Sequence, residues 1–286
     1  MKPSQFQHHA PERVDEVVAL LAEYGDDAKV LAGGQSLIPI MALRMATYPH
    51  LVDIARVPDL SKISATPNAV RVGAMVRQSH AERDAAVATV PLLAKALPHI
   101  GHFQIRNRGT VGGSIAHADP ASELPAVALA LDARIEATGP GGVRFIDASE
   151  FFLSTWQTAL DDGEILSAVE FPVWGAGSGF GVEEIARRKG DFALVGALAG
   201  VTLDGDRVTR ACITMIGVGS TPVRCHEAEA ALIAGGANAD LNEIGRIAAA
   251  PLTPTHDVHA SAAYRKHVSP AIVRRALTAA LKEARS

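Results

Sequence analysis

The sequence predicts an α+β protein made of three consecutive units, and three observations support this fold class. Short strand-like stretches alternate with helical stretches through residues 1–55 and again through residues 56–172. A glycine-rich segment, residues 172–181 (PVWGAGSGFG), is typical of a linker. Beyond it, residues 177–286 contain strands first and helices afterwards, which indicates a small antiparallel sheet packed on helices.

Residues 1–55 are predicted to form a compact α/β unit around a glycine pair. Apolar periodicity, a proline suited to a first helical turn and a glycine suited to a C-terminal cap define its elements. The predicted elements are helices over residues 11–24 and 37–45 and strands over residues 29–31 and 51–54. The glycine pair therefore lies at the central turn of this unit.

Residues 56–172 are predicted to form a second unit with a second glycine pair. The predicted elements are strands over residues 69–75, 133–138, 143–146 and 165–171 and helices over residues 79–84, 91–97 and 125–131. Residues 139–142 (GPGG) form a turn that pairs the two strands beside it. Residues 110–123, which carry the second glycine pair, are predicted to be a loop.

The tail is predicted to contain a three-stranded sheet and three helices. Asp204 and Gly205 mark a hairpin between two of its strands. The predicted strands cover residues 181–188, 200–203 and 207–218, and the helices cover residues 226–234, 241–249 and 269–284.

Composition excludes several classes of protein. The chain has 286 residues, 48% hydrophobic residues and a formal net charge of −4, without a basic stripe, so nucleic acid is not an expected partner. Charged residues interrupt every apolar run, and the first residues lack an apolar signal-peptide region, so no transmembrane segment is expected. The two cysteines, Cys212 and Cys225, form no metal or redox motif, and reduced, structural cysteines fit a cytoplasmic protein.

Two similar stretches carry the glycine pairs. The first consists of Leu31, Ala32, Gly33, Gly34, Gln35, Ser36 and Leu37, and the second begins Thr110, Val111, Gly112, Gly113, Ser114. Because glycine has no Cβ, such turns can direct backbone amides toward one anionic group. We therefore predict that the two stretches face each other across a pyrophosphate. The alternative for either stretch alone is an ordinary turn, and neither is a Rossmann fingerprint or a P-loop.

Other candidate residues leave alternatives open. Asp119 and Glu123 could accept hydrogen bonds from sugar or ribityl hydroxyls, or Asp119 or Ser122 could cap the helix that follows. The histidine pairs at 99/102 and 256/259 lack a third ligand, so surface histidines are the expected interpretation and no metal site is predicted. No nucleophile–base pair is evident, and no catalytic residue is assigned. This indicates that a cofactor performs the chemistry.

Four motifs resemble the FAD-binding medium subunit of the molybdenum hydroxylases, the family of aerobic carbon monoxide dehydrogenase and of bacterial xanthine and N-heterocycle dehydrogenases. They are residues 31–39 (LAGGQSLIP), 104–114 (QIRNRGTVGGS), 118–120 (ADP) and 190–193 (GDFA). Residues 264–277 are also similar to the C-terminal helix of that family. The resemblance covers nearly the whole chain.

The resemblance implies a fold and a binding site. The fold would be a two-subdomain FAD-binding module of the vanillyl-alcohol-oxidase (PCMH-like) type, at 1–55 and 56–172, plus a C-terminal α+β domain at 177–286. FAD would lie extended between the subdomains, with its pyrophosphate on the amides of residues 32–36 and 111–114. The family's other cofactor contacts fall on Ala118, on Thr110, Asp119 and Glu123 toward the ribityl chain and flavin, on Ile100 and Leu166 flanking the flavin or adenine, and on Phe192. Family members often have tyrosine at the position of Phe192, so a hydrogen bond from that hydroxyl is not expected here.

The resemblance also implies partner chains. A large subunit with a molybdopterin cofactor would oxidise the substrate. A small subunit would relay electrons through [2Fe–2S] clusters to FAD in this chain, in a dimer of heterotrimers. Two cysteines cannot ligate two such clusters, which agrees with their location in another chain. The substrate is not determined by this sequence, nor is the acceptor, which could be NAD, a quinone, a cytochrome or oxygen.

Two competing functions are a stand-alone FAD-dependent oxidase and an assembly subunit without flavin.

The predicted pyrophosphate site can be tested by substitution. From the sequence we expect Gly33→Val and Gly112→Val each to abolish FAD binding while the fold is retained.

Overall fold

The computed structural model describes residues 2–286, which fold into helices and four sheets. The helices are α1 (Val14–Tyr24), α2 (Leu37–Ala42), α3 (Gln78–Ala81), α4 (Pro91–Ala96), α5 (Phe103–Arg106), α6 (Val111–His117), α7 (Glu123–Ala130), α8 (Ala148–Phe151), α9 (His226–Gly235), α10 (Leu241–Ala249) and α11 (Ala262–Ala284). The strands are β1 (Gln7–His9), β2 (Ala28–Leu31), β3 (His50–Asp53), β4 (Ile63–Ala65), β5 (Ala69–Gly73), β6 (Arg134–Gly139), β7 (Gly142–Asp147), β8 (Phe152–Ser154), β9 (Gln157–Thr158), β10 (Ile165–Pro172), β11 (Ser178–Ile185), β12 (Val195–Asp204), β13 (Arg207–Ile216) and β14 (Val223–Arg224). Within this part of the chain, none of the helices has the length and apolar character that crossing a membrane requires.

The first sheet is parallel and has the strand order β1-β3-β2. Val17 and Leu21 of α1 are buried in the same apolar cluster as Val52 of β3. Leu31, the last residue of β2, pairs with Asp53, the last residue of β3. Because adjacent parallel strands end at the same edge, the loops that follow β2 and β3 open side by side, which is where ligands bind in open parallel sheets.

The second sheet has the order β4-β5-β10-β6-β7, with antiparallel neighbours. Helix α7 packs against this unit and also contacts β12 and β13 of the next sheet. Its residues are apolar around most of its circumference, and nearly all of them are buried. A helix that is apolar on all sides needs cover on all sides, so α7 forms the centre of the contact between the second unit and the tail.

The tail confirms the predicted small antiparallel sheet packed on helices, with two differences. The sheet has four strands, β11-β12-β13-β14, instead of three, because the two-residue strand β14 pairs with β13. The last helix begins at Ala262 instead of residue 269 and continues through Pro270. The Ser261 hydroxyl caps its first turn by accepting from the Tyr264 amide at 3.1 Å.

The largest error of the sequence prediction concerns residues 110–123, which are not one loop. Helix α6 covers Val111–His117, followed by a short turn, and α7 begins at Glu123. Glycine pairs disfavour a helix by about 1 kcal/mol per residue relative to alanine, which is why the sequence indicated a loop. Tertiary packing outweighs this preference, since Val111, Gly112 and Ile115 are buried. Four further short strands, β1, β4, β8 and β9, were also not predicted, and helix α2 ends at Ala42, earlier than expected.

A buried ionic network joins the second unit to the tail. Arg224 of β14 donates to the Leu129 carbonyl oxygen at the end of α7 at 2.7 Å and pairs with Asp132 at 3.0 Å. It also forms an ion pair with Glu229 of α9. The Arg224 and Glu229 side chains are only 10% and 9% exposed. The network therefore fixes the end of α7 against the tail sheet.

Candidate functional site

The first glycine stretch forms the loop between β2 and α2. The amides of residues 33–37 have no hydrogen-bond acceptor within the described part of the chain. Gly34 has a φ of +73°, a conformation that favours glycine. The Gln35 side-chain amide donates to the Gly33 carbonyl oxygen at 3.1 Å, which holds the turn. The loop therefore presents a row of unpaired donors at the carboxyl edge of the parallel sheet, an arrangement that suits an anion.

The second glycine stretch has its amides already bonded. The amide of Val111 donates to the Val76 carbonyl oxygen at 2.9 Å, and that of Gly112 donates to Ala74 at 3.0 Å. The Thr110 hydroxyl accepts from the Gly113 amide at 3.0 Å, and the Thr110 carbonyl oxygen accepts from Ser114 at 3.2 Å. This stretch is thus a capped helix N-terminus fixed to the second sheet, and its first amides are not free donors.

The two stretches are neighbours in the fold and lie directly against each other, whereas the sequence predicted that they face each other across a pyrophosphate. A Cβ atom placed on Gly113 would lie 3.3 Å from the Cβ atom of Ala32. One placed on Gly33 would overlap the Arg108 carbonyl oxygen and lie 2.8 Å from the Gly109 Cα atom. The glycines therefore allow two backbone segments to pack directly on each other.

A cavity of about 380 Å³ opens beside the first loop. It is lined by Leu31, Ala32, Gly33, Gly34, Gln35, Ile38, Pro39, Asp53, Ala55, Arg77 and Arg108. The sequence prediction missed Asp53, Arg77 and Arg108. Arg108 stands two residues before Thr110, so its position in the motif was an available signal, whereas Arg77 reaches the site only through the fold. Burial, and then the charge of Arg108, lower the pKa of Arg77.

Asp119 has a structural role in the fold. One carboxylate oxygen accepts from the Ala121 amide at 2.9 Å, and the other accepts from the Trp156 indole nitrogen at 3.3 Å. Asp119 therefore stabilises the turn before α7, whereas the predicted side-chain cap is not formed, because neither Asp119 nor the N-cap residue Ser122 accepts from an amide of the helix. The Trp156 ring stacks on His117 with 5.6 Å between centroids, and burial lowers the pKa of His117.

Glu123 is a buried carboxyl group at the start of α7. Its residue is only 5% exposed, and burial, with a further contribution from the charge of Glu184, raises its pKa to about 8. Glu184 of β11 bonds to the His99 ring at 3.2 Å through one oxygen, while its other oxygen is buried without a partner. The hydrogen bond from Glu184 raises the pKa of His99. Glu123 is consequently neutral near pH 7.

This buried carboxyl group predicts a specific pH dependence of stability. Its ordinary pKa of 4.5 applies to the unfolded chain and about 8 to the folded chain, so the folded state holds more protons between these values. Its contribution to stability is complete below the unfolded pKa and is lost as the pH rises through the folded pKa. In Glu123→Gln, which cannot ionise, we expect this loss to disappear. At pH above 8 the variant should be more stable than the wild type by an amount on the order of 3–5 kcal/mol.

Unfolding midpoints measured across this pH range test the prediction. Glu150→Gln, at an exposed glutamate, is the matched control and should follow the wild-type curve. Identical pH profiles for the wild type and Glu123→Gln would contradict the assignment.

The remaining predicted residues lie in the core of the second unit, in the loop between β11 and β12, at the start of α2 and at the end of α6. Ile100 and Leu166 belong to the apolar core of the second unit and are 9% and 4% exposed. Phe192 is 60% exposed, between β11 and β12. A Cβ atom on Gly190 would lie 2.6 Å from the His102 ring, so the loop that carries Phe192 lies against the segment after Ile100. Ser36 and Leu37 lie at the start of α2, and Ala118 is buried at the end of α6 with a φ of +52°.

Known protein families and relatives match this chain along nearly its whole length. The family model "FAD binding domain in molybdopterin dehydrogenase" matches residues 4–174, and "CO dehydrogenase flavoprotein C-terminal domain" matches residues 181–280. The 6-hydroxypseudooxynicotine dehydrogenase complex subunit alpha of Paenarthrobacter nicotinovorans is 42% identical over 288 residues, which cover 100% of this chain and 97% of that protein.

Solved structures give the same result. A chain of carbon monoxide dehydrogenase from Hydrogenophaga pseudoflava, in a form that lacks the Mo-pyranopterin moiety of the molybdenum cofactor, matches with a TM-score of 0.94 and 39% identity over 99% of both chains. A chain of reconstituted CO dehydrogenase from Oligotropha carboxidovorans matches with a TM-score of 0.95 and 35% identity, over 99% of this chain and 100% of that one.

Proposed function

Because this chain belongs to the family of FAD-binding medium subunits of molybdopterin dehydrogenases, we propose that it relays electrons through FAD inside a molybdenum hydroxylase complex. The single observation that carries the site assignment is the row of unpaired amides at residues 33–37, beside a cavity lined by two arginines. Backbone donors without a competing acceptor, in a glycine turn, fit a pyrophosphate.

We assign the pyrophosphate to the first loop and a supporting role to the second stretch. Residues 33–37 supply the amides. Thr110, Val111, Gly112 and Gly113 fix the backbone on which the first loop rests, because their own polar groups are bonded within the second unit. The Ser114 hydroxyl makes no hydrogen bond within residues 2–286, so it is free to donate to the cofactor.

The flavin end of the cofactor is assigned to Ile100, Leu166, Glu123 and Phe192. Helix α5 connects the cavity to this region, since Ile105 packs under Gly101 at one end and its carbonyl oxygen accepts from the Gly109 amide at 2.7 Å at the other. We assign the extended dinucleotide to this path. The buried apolar side chains exclude water from the ring, and the neutral carboxyl group of Glu123 keeps a proton on its oxygen that it can donate in a hydrogen bond.

When bound, the flavin supplies redox chemistry that links one-electron carriers to an acceptor of one or two electrons. The chain's own residues bind and orient it, and none of them is assigned to oxidise a substrate.

The two thiols of this chain indicate whether it can hold an iron–sulfur cluster. Cys212 and Cys225 are buried free thiols, and burial raises the pKa of each to about 12, so neither offers the thiolate that an iron–sulfur cluster requires. This agrees with clusters in another chain, and from the family we assign the [2Fe–2S] clusters to a small subunit and the molybdopterin cofactor to a large subunit, in a dimer of heterotrimers. Reduced thiols also support a cytoplasmic location.

Purification of the protein from its native complex tests the cofactor assignment. We expect a stoichiometric amount of FAD that remains in the supernatant when the protein is precipitated by acid or heat, because the binding is noncovalent. A preparation without flavin absorption would overturn the proposed function, and flavin that precipitates with the chain would overturn noncovalent binding.

The competing stand-alone oxidase makes a different prediction. The purified chain, separated from its partners, would then oxidise an organic substrate with an added acceptor. We expect no such turnover, and we expect electron transfer to an acceptor to be restored only with the iron–sulfur and molybdenum subunits.

A further inference from the structure

The cavity beside the first loop carries an excess of positive charge. Within residues 2–286, neither Arg77 nor Arg108 forms an ion pair with a carboxylate. The carboxylate that shares the cavity, Asp53, is already engaged: one oxygen accepts from the Ala55 amide at 2.9 Å and the other pairs with His8 at 3.1 Å. The charge of Asp53 acts on Arg77 from a distance and opposes the lowering of its pKa, but neither of the two arginines that line the cavity has a direct ion pair.

The fold places these two arginines together. Arg77 follows β5, and its guanidinium group donates to the carbonyl oxygen of Arg108. An isolated β-bridge between Arg77 and Thr110 aligns the two backbone segments. Arg108 in turn lies directly under Gly33, the first residue with a free amide. Arg77, Arg108 and the row of amides thus line the same cavity.

Arg77 and Arg108 carry like charges at close range, and Arg77 is half-buried. Such an arrangement is unfavourable unless an anion occupies the space between the two charges. A guanidinium group has planar, paired donors that match phosphate oxygens, and a half-buried charge is screened less by water than an exposed one.

We propose that Arg77 and Arg108 form a cationic clamp that holds the pyrophosphate of FAD against the amides of residues 33–37. This inference rests on the proposed function. The diester pyrophosphate carries two negative charges, which the two guanidinium groups neutralise. The amides fix the position of the phosphates, and the clamp provides long-range attraction that depends on ionic strength.

Arg108→Gln is the informative variant, because the Arg108 side chain is exposed and makes no hydrogen bond within residues 2–286. The assembled protein is depleted of FAD, and its Kd for FAD is measured at low and at high salt. We expect the Kd at low salt to rise about tenfold, equivalent to about 1.4 kcal/mol. We also expect the salt dependence of the Kd to become weaker, which a purely structural role would not produce.

Three further variants complete the test. Arg108→Lys, which keeps the charge, should retain the salt dependence and recover part of the affinity. Arg77→Gln should weaken FAD binding in the same direction. Arg83→Gln, at an exposed arginine outside the cavity, is the matched control and should leave both quantities unchanged.

A wild-type Kd and salt dependence in Arg108→Gln would overturn the clamp while the proposed function stands. Failure of the wild-type protein itself to bind FAD would overturn the proposed function. The two outcomes are therefore distinguishable in one titration.

Discussion

Replacing Gly33 with alanine is expected to weaken FAD binding by at least about 100-fold while most of the fold is retained. The new Cβ atom would overlap the Arg108 carbonyl oxygen and lie 2.8 Å from the Gly109 Cα atom. Both neighbours are backbone, so the loop must move away from the second unit. That movement displaces the amides of residues 33–37 from the position in which they converge. The measurement is the Kd for FAD, together with the unfolding midpoint.

Gly141→Ala is the matched control, because a Cβ atom at Gly141 has no neighbour within 4 Å and its φ is not positive. It should bind FAD like the wild type. Wild-type affinity in Gly33→Ala would contradict the assignment of the first loop to the pyrophosphate.

The structure predicts different outcomes for substitutions at Gly33 and at Gly112, for which the sequence predicted the same outcome. A Cβ atom on Gly112 would lie 2.5 Å from both the Cα and Cβ atoms of Ala74, in the core of the second unit. The amide of Gly112 is also bonded there. Gly112→Val should therefore lose much of the folded second unit as well as FAD, whereas substitutions at Gly33 act mainly on the loop. The expectation that the fold survives both substitutions is revised for Gly112.

Replacing Arg224 with alanine is expected to lower the free energy of unfolding by about 3–5 kcal/mol. Arg224 and Glu229 form a buried ion pair, and Glu229 also accepts from the Ile213 amide at 2.7 Å. Without the guanidinium group, the Glu229 carboxylate stays buried without its ionic partner. The Leu129 carbonyl oxygen and Asp132 also lose their hydrogen bonds to Arg224. Chemical denaturation of the wild type and the variant measures the difference.

Two further variants test whether the buried charge of Glu229 causes the loss of stability in Arg224→Ala. Arg207→Ala removes an ion pair with Asp204 in which both side chains are 72% exposed, and it should change stability by less than about 0.5 kcal/mol. Arg224→Met combined with Glu229→Gln removes both charges and should be less destabilising than Arg224→Ala alone. A loss in Arg224→Ala no larger than in Arg207→Ala would contradict the role of the network.

Much of the fold was predictable because its signals are local. The turn after Asp204, the strand pairing across residues 139–142 and the helices at 91–97 and 226–234 were predicted close to their observed bounds. Errors arose where long-range contacts override local preference. Helix α6 forms despite two glycines because Gly112 packs on Ala74, and β14 is a strand because it pairs with β13.

The candidate site divides in the same way. Sequence alone identified both glycine stretches, their proximity to each other, and the family to which the chain belongs. It could not identify Arg77, which lies more than thirty residues before Arg108 and meets it only because β5 ends beside the segment that leads into α6. The sequence also left open whether Asp119 contacts a ligand or caps the helix that follows, and in the structure its carboxylate bonds to the Ala121 amide in the turn before that helix.

The chain's amino acids by themselves determined that two glycine-rich segments could present backbone amides to one anion, because glycine has no Cβ atom to block the approach. Which of the two segments keeps its amides free was decided by the tertiary structure alone. The amides of Val111 and Gly112 bond to Val76 and Ala74, residues distant in sequence, while those of residues 33–37 meet no acceptor in the described chain. A hydrogen bond to a distant carbonyl group leaves no mark in a local pattern, so the two similar stretches acquire different roles only in the folded molecule.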